Sequence, residues 1–490
     1  MTIDVQLPAG AVRGKARGDA VRFLGIPYAA SPVGERRFMP PQPVVPWSGT
    51  RDCTTPGPTA PQRVRALPGL EVAPLIGTGW VEGDDYLALN IWRPATGDGQ
   101  PVMVFIHGGG FLVGSKDAGV QDGATFARDG VVCVAINYRL GIDGFLPIPG
   151  VPTNLGLRDM IAGLEWVRDH IALFGGDPGK ITVFGESAGA MAIADLLTSP
   201  LATGLFGRAI VQSGHGAMTR DVGVAQRLVR KLAKLLRITP DKAGFASVTP
   251  VDALHAVEKV SLPTTRLDLR GSDGREPVFG ISRFVPVHGD DVLPVASLDA
   301  LKAGAGADVD VLIGTNAEEM NLYFVPTGVR AKVGRALAWF VLRRSQPGAW
   351  AVLKAYGLGR EHAGRVLVRA LNDLVFRWPA RRFAEEHRGR TWMYEFDWRS
   401  PRYDGELGAA HGMELPFVFD ALATTTGPEG LTGEAPPQAL ATRVHALWVR
   451  FATDGTLPWP EFTREARHVH QLAADRTIEE APMPAAAFLP

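Results

Sequence analysis

Apolar positions along the chain form two kinds of pattern. Val102 to Ile106, Val131 to Ile136 and Ile181 to Phe184 are short unbroken runs, the length of strands covered on both faces. Further runs at Ala209 to Val211, Val309 to Ile313 and Trp392 to Phe396 alternate with helical periodicity, including an amphipathic stretch from roughly Leu157 to Phe174. Strands alternating with helices predict an α/β fold, a large and mostly parallel sheet flanked by helices. Near the start, Ala11 to Arg13 and Ala20 to Leu24 read as short strands followed by loops rich in Pro and Gly.

Three segments depart from this rhythm. Pro61 to Asp85 has little periodicity, which in a compact domain implies a functional loop or one pinned by packing. Val224 to Ile238 sets Arg227, Arg230, Lys231, Lys234 and Arg237 against Leu228, Leu232, Leu235 and Leu236. The preferred reading is a solvated basic face over a packed apolar one, with a membrane-surface helix as the alternative. Asn321 to Arg388 reads as a helical, cap-like segment, although core packing explains Trp339, Phe340 and Trp378 equally well.

Composition narrows the picture. A chain of 490 residues with 46% hydrophobic content supports one large domain, 1–490, with an ample core. Its 51 basic and 51 acidic residues cancel, so net charge gives no case for nucleic acid or an anionic partner. A small neutral molecule fits better as the partner, and a monomer or weak homodimer is expected. Cys133 lies in an apolar run and Cys53 has no framework of partners, so a disulfide is not expected. The first residues show no secretory pattern and no apolar run reaches membrane-spanning length, which predicts a cytoplasmic protein without a membrane partner.

Candidate chemistry begins at Gly185-Glu186-Ser187-Ala188-Gly189, between a strand ending at Phe184 and a helical stretch, Ala188 to Leu197. A chain turning that sharply needs glycines and holds the serine in a strained, outward-pointing conformation, a nucleophile elbow. A serine nucleophile requires a base, a group to orient the base, and donors for the oxyanion. His107-Gly108-Gly109-Gly110-Phe111 follows directly on the strand Val102 to Ile106. Its bare backbone offers Gly109 and Gly110 as oxyanion donors together with Ala188. The base is not selected by such local logic, because there are 11 histidines.

The motifs together resemble the type-B carboxylesterase and cholinesterase family of α/β-hydrolases. The matching pieces include Phe23-Leu-Gly-Ile-Pro-Tyr-Ala29, Pro32-Val-Gly-Glu-Arg-Arg-Phe38, Asn137-Tyr-Arg-Leu-Gly141, Phe174-Gly-Gly-Asp-Pro178, Gln212-Ser-Gly214, Gly314-Thr-Asn-Ala-Glu-Glu319 and His411-Gly-Met-Glu-Leu-Pro-Phe417. The resemblance spans nearly the whole chain. It implies an α/β-hydrolase fold and a Ser187, Glu319, His411 triad, with Glu318 in reserve. It favours His411 over His468 and His470, which read as solvated.

A serine ester hydrolase needing no metal or cofactor is therefore expected, acting on neutral esters. A histidine base predicts activity rising through a pKa near 6 to 7. The alternatives are amide, carbamate or lipase-like hydrolysis, or a non-catalytic interaction protein on the same fold. The chain departs from the family pattern at Tyr86 and Ala60, where a disulfide would sit, at His215, where many relatives have serine, at Met320, and at Val287-His-Gly-Asp290.

Overall fold

The computed structural model describes residues 1–262 and 264–489. Thirteen strands form one sheet. Its parallel centre runs, in spatial order, Val132–Ile136, Gln100–Ile106, Gly176–Glu186, Arg208–Gln212, Asp310–Asn316 and Thr391–Phe396. Ala88–Pro94 joins this centre antiparallel and links it to Ala20–Pro27, Gly10–Arg17 and Thr2–Leu7. On the other edge His468–Gln471 extends the parallel run and Arg476–Glu479 closes it antiparallel.

The unbroken apolar runs have a simple cause: successive side chains leave opposite faces of a strand, and both faces here are covered. Val102, Val104 and Ile106 enter one core with Leu164 and Ile193, whereas Met103 and Phe105 enter a second core with Trp448 and Phe451. Helices Leu155–His170 and Ala188–Thr198 therefore lie on one side of the sheet, and helix Gln438–Asp454 on the other. This is the α/β-hydrolase arrangement expected from the sequence.

Helix Val222–Leu236 buries Ala225, Leu228, Val229, Leu232 and Ala233, so most of its apolar stripe is spent on packing. Residues 321–388 are largely helical and contain one π-helical turn, Asp373–Arg377. Among the described residues no helix is long and apolar enough to cross a membrane. His468 and His470 do not stand in solvent as expected. They occupy strand His468–Gln471, where His470 is buried and stacks on Trp459 with ring centroids 4.3 Å apart. Four residues of alternating polarity were too few to announce a strand against a charged background.

Candidate active site

The strand Gly176–Glu186 runs straight into helix Ala188–Thr198, leaving one residue to make the bend. That residue, Ser187, has φ 54° and ψ −122°, a region side-chain-bearing residues rarely occupy. The bend is tight enough that its flanking glycines are obligatory. A Cβ on Gly189 would lie 2.0 Å from the Ile106 carbonyl oxygen, and one on Gly185 would lie 2.6 Å from the same atom. Ser187 N–H donates to Gln212 O at 2.9 Å, tying the elbow to the neighbouring strand.

Glu319 and His411 arrive from the loops after two further parallel strands, Asp310–Asn316 and Thr391–Phe396. The His411 ring stands between them and the serine: Nε2 is 2.8 Å from Ser187 Oγ and Nδ1 is 2.6 Å from Glu319 Oε2. All three side chains are buried. The acid is fixed from both ends, since Asn316 N–H donates to Glu319 Oε1 at 2.7 Å and His411 N–H donates to the Glu319 carbonyl at 3.2 Å. Glu318 turns the other way. It pairs with Arg399 and accepts the Ala409 N–H at 3.1 Å, so it has no path to the histidine.

The glycine loop packs directly against the elbow. A Cβ on Gly108 would meet Glu186 Oε2 at 2.5 Å, and one on Gly109 would meet the Val113 carbonyl oxygen at 2.1 Å. Gly109 and Gly110 take φ of 98° and 63°, and both border the same cleft as Ser187. Ala188 is the first residue of its helix, so its N–H has no intrahelical acceptor and carries the positive end of the helix dipole. His107 takes no part as a base: it stacks on Tyr138, and burial pushes its pKa down to about 4.

Electrostatics at the centre differ from the sequence expectation. Glu186 Oε1 lies 3.0 Å from His411 Nε2, a contact that the motif Gly-Glu-Ser-Ala-Gly did not announce. Burial disfavours the imidazolium, but the carboxylates of Glu186 and Glu319 outweigh it and hold His411 above the ordinary histidine range. Burial also pushes Glu186 and Glu414 above the usual carboxylate range, the latter despite hydrogen bonds from Asn316 and Gln212. If His411 serves as the base, these carboxylates favour a midpoint above the 6 to 7 expected from the sequence.

His215 also has a definite place. It is buried, Ala217 N–H donates to its Nδ1 at 3.1 Å, and its Nε2–H donates to Val375 O at 2.6 Å. Val375 belongs to the π-helical turn, whose next residue, Phe376, packs on the His411 ring at 4.9 Å. Where many relatives are expected to carry a serine near the histidine, this chain instead anchors the turn that flanks it.

The cleft above Ser187 has a volume of about 380 Å³. Leu75, Ile76, Leu112, Val257, Leu322 and Leu415 give it apolar walls. The aperiodic stretch after Pro61 thus serves as wall, pinned by Gln62, whose amide exchanges two hydrogen bonds with the Gly114 backbone at 2.7 and 2.8 Å. Ser282 was missed as well. Its hydroxyl donates to the Gly110 carbonyl at 2.8 Å and fixes the glycine loop from a distant segment. Val287–His288 pairs with Arg220–Asp221 and does not border the cleft. A larger cavity of about 660 Å³, behind Leu374 and Trp378, contains none of the reactive groups.

Residues 2–485 match the Carboxylesterase family. The chain is 34% identical to the para-nitrobenzyl esterase of Bacillus subtilis, covering 96% of this chain and 95% of that protein. It is 35% identical to the phenmedipham hydrolase of Pseudarthrobacter oxydans, covering 90% and 89%. Among solved structures, a Geobacillus stearothermophilus carboxylesterase superposes with a TM-score of 0.83 at 32% identity, covering 99% of this chain and 100% of the other. The chain belongs to the type-B carboxylesterase family, enzymes that hydrolyse carboxylic esters.

Proposed function

We propose that this chain is a serine carboxylesterase that cleaves neutral esters through an acyl-enzyme on Ser187. The observation that carries the reading is the hydrogen-bonded line from Ser187 Oγ through His411 to Glu319, at 2.8 and 2.6 Å, on the floor of an apolar cleft.

The roles follow from geometry. Glu319 accepts from Nδ1–H and so leaves Nε2 of neutral His411 with its lone pair toward the serine. As Oγ attacks the ester carbonyl, Nε2 takes the hydroxyl proton, and the new imidazolium is stabilised by Glu319. The N–H groups of Gly109, Gly110 and Ala188 are assigned to receive the oxyanion charge. The imidazolium then protonates the departing alcohol. Water attacks the acyl-enzyme by the same proton path in reverse and releases the acid. Glu186 stabilises the protonated form of His411, which restrains the resting base and steadies the imidazolium of the transition state. The cleft volume suits short or medium acyl groups.

The protein is read as one domain built on a single sheet, with residues 321–388 as its cap. Cys53 and Cys133 are free and buried, which suits the reducing cytoplasm. Amide and carbamate bonds offer the same carbonyl to the same nucleophile, and the relationship to a phenmedipham hydrolase keeps that reading open. Rates across p-nitrophenyl esters of rising acyl length, beside an anilide and a carbamate, separate the two. The ester reading expects a clear acyl-length optimum and slow anilide cleavage. A flat ester response with brisk anilide or carbamate turnover would replace it.

A further inference from the structure

Overall charge balance conceals a local imbalance. Between residues 325 and 360 the sequence has seven basic residues, Arg330, Lys332, Arg335, Arg343, Arg344, Lys354 and Arg360, and no acidic one. Four large apolar side chains stand exposed in the same stretch: Val329 at 42%, Leu337 at 45%, Phe340 at 52% and Trp350 at 44%. Phe340 and Trp350 are the only Phe or Trp side chains classed as exposed among the described residues.

Local structure brings part of this together: Trp339, Arg343, Trp350 and Lys354 border one groove between two short helices. Helix Arg335–Arg343 buries Ala338 and Leu342, and helix Ala349–Ala355 buries Ala349, Val352 and Leu353. Leu337 and Phe340, three apart on the first helix, share its outer side, as Trp350 and Lys354, four apart, do on the second. Arg343 lies over the Trp339 ring at 4.4 Å and Lys354 over the Trp350 ring at 5.9 Å, so cations and aromatic surface are interleaved. Glu361, the next acid in sequence, is already engaged with Arg369, and Glu406, distant in sequence, pairs with Arg330 and Arg365. Lys332, Arg335, Arg343, Lys354 and Arg360 enter no ion pair among the described residues. Helix Val222–Leu236 makes the contrast: it carries four basic residues, Arg227, Arg230, Lys231 and Lys234, but its apolar stripe is largely packed away.

We propose that the face formed by helices Arg335–Arg343 and Ala349–Ala355 docks on an anionic lipid surface. Aromatic side chains enter the headgroup boundary while the surrounding Lys and Arg side chains meet lipid phosphates, as interfacial helices do. The contact is peripheral and requires no spanning helix. Charge complementarity sets a lipid surface above a second copy of this chain, whose matching face would present like charge. The proposal is independent of the hydrolytic mechanism.

The test is co-sedimentation of the full chain with phosphatidylcholine vesicles, with and without phosphatidylglycerol, at low and high salt. Preferential binding to the anionic vesicles, weakened by salt, is expected. Phe340→Ser with Trp350→Ser should weaken it about tenfold or more, and Lys332→Glu with Arg335→Glu should do likewise. Both double variants should keep full activity on soluble p-nitrophenyl acetate, and the charge variant decides the matter if the aromatic one fails to fold. Equal binding to neutral and anionic vesicles would overturn the proposal, as would binding untouched by either double variant. A dimer dissolved by the aromatic substitutions, without vesicle binding, would assign the face to self-association and overturn it too.

Discussion

The floor of the cleft and its walls are built by different rules. The floor consists of Ser187, the glycine loop and Glu319, each within a few residues of the end of a buried parallel strand. Backbone geometry leaves these positions almost no freedom, because carbonyl oxygens and neighbouring side chains occupy the space a Cβ would need at Gly108, Gly109 and Gly189. The walls come chiefly from residues 63–76, 254–261 and 322–323, separate segments that include half-buried and exposed side chains. In the proposed mechanism, chemistry is thus fixed by main-chain constraint, while the choice of substrate is left to side chains that can change without moving the sheet.

Substitutions on the two regions should therefore differ in size and in kind. Ser187→Ala should lower turnover by roughly 10⁴ to 10⁶ with an unchanged circular dichroism spectrum. A residual rate close to wild type would place the nucleophile elsewhere. Gly109→Ala must shift the Val113 carbonyl or the donor itself, and kcat should fall by about 10² to 10³ with a smaller change in KM. An effect confined to KM would make the loop part of the wall. On the wall itself, Ile76→Ala or Leu322→Ala should move the preferred acyl length and change kcat/KM for a given ester by about 10-fold to 200-fold. Equal losses for all chain lengths would mean that these residues support the floor.

The smallest effect is a displacement along the pH axis. In the proposed mechanism His411 acts as a neutral base, and neighbouring carboxylates raise its pKa, so kcat/KM should rise with pH through a midpoint above the ordinary histidine value. Glu186→Gln removes one source of that shift and should move the rising limb to lower pH. A limb that stays in place would assign the shift to Glu319 alone.

The same division governs what could be read from the sequence. Ser187, Gly109 and Gly110 were legible because a sharp strand-to-helix bend and a bare-backbone turn need particular residues at particular places. His411 was legible only through family resemblance. Burial would not have found it, since His107, His215, His387 and His445 are buried too. Glu186 beside the imidazole and Ser282 beneath the glycine loop were invisible, and His215 stood out as a departure but gave no sign of the π-helical turn it anchors, because each acts through a partner distant in sequence or through an orientation no local pattern encodes. The walls were legible only in part: the aperiodic stretch after Pro61 read as a functional or packing-pinned loop, but its place at the cleft takes its meaning from what it packs against.

The most direct test follows the acyl group itself. The wild-type chain, quenched in acid during turnover of p-nitrophenyl acetate and digested, should carry an acetyl group on the peptide containing Ser187, and His411→Ala should accumulate it far more slowly. Acetyl found on another residue, or steady hydrolysis with no covalent adduct at any time, would contradict the account.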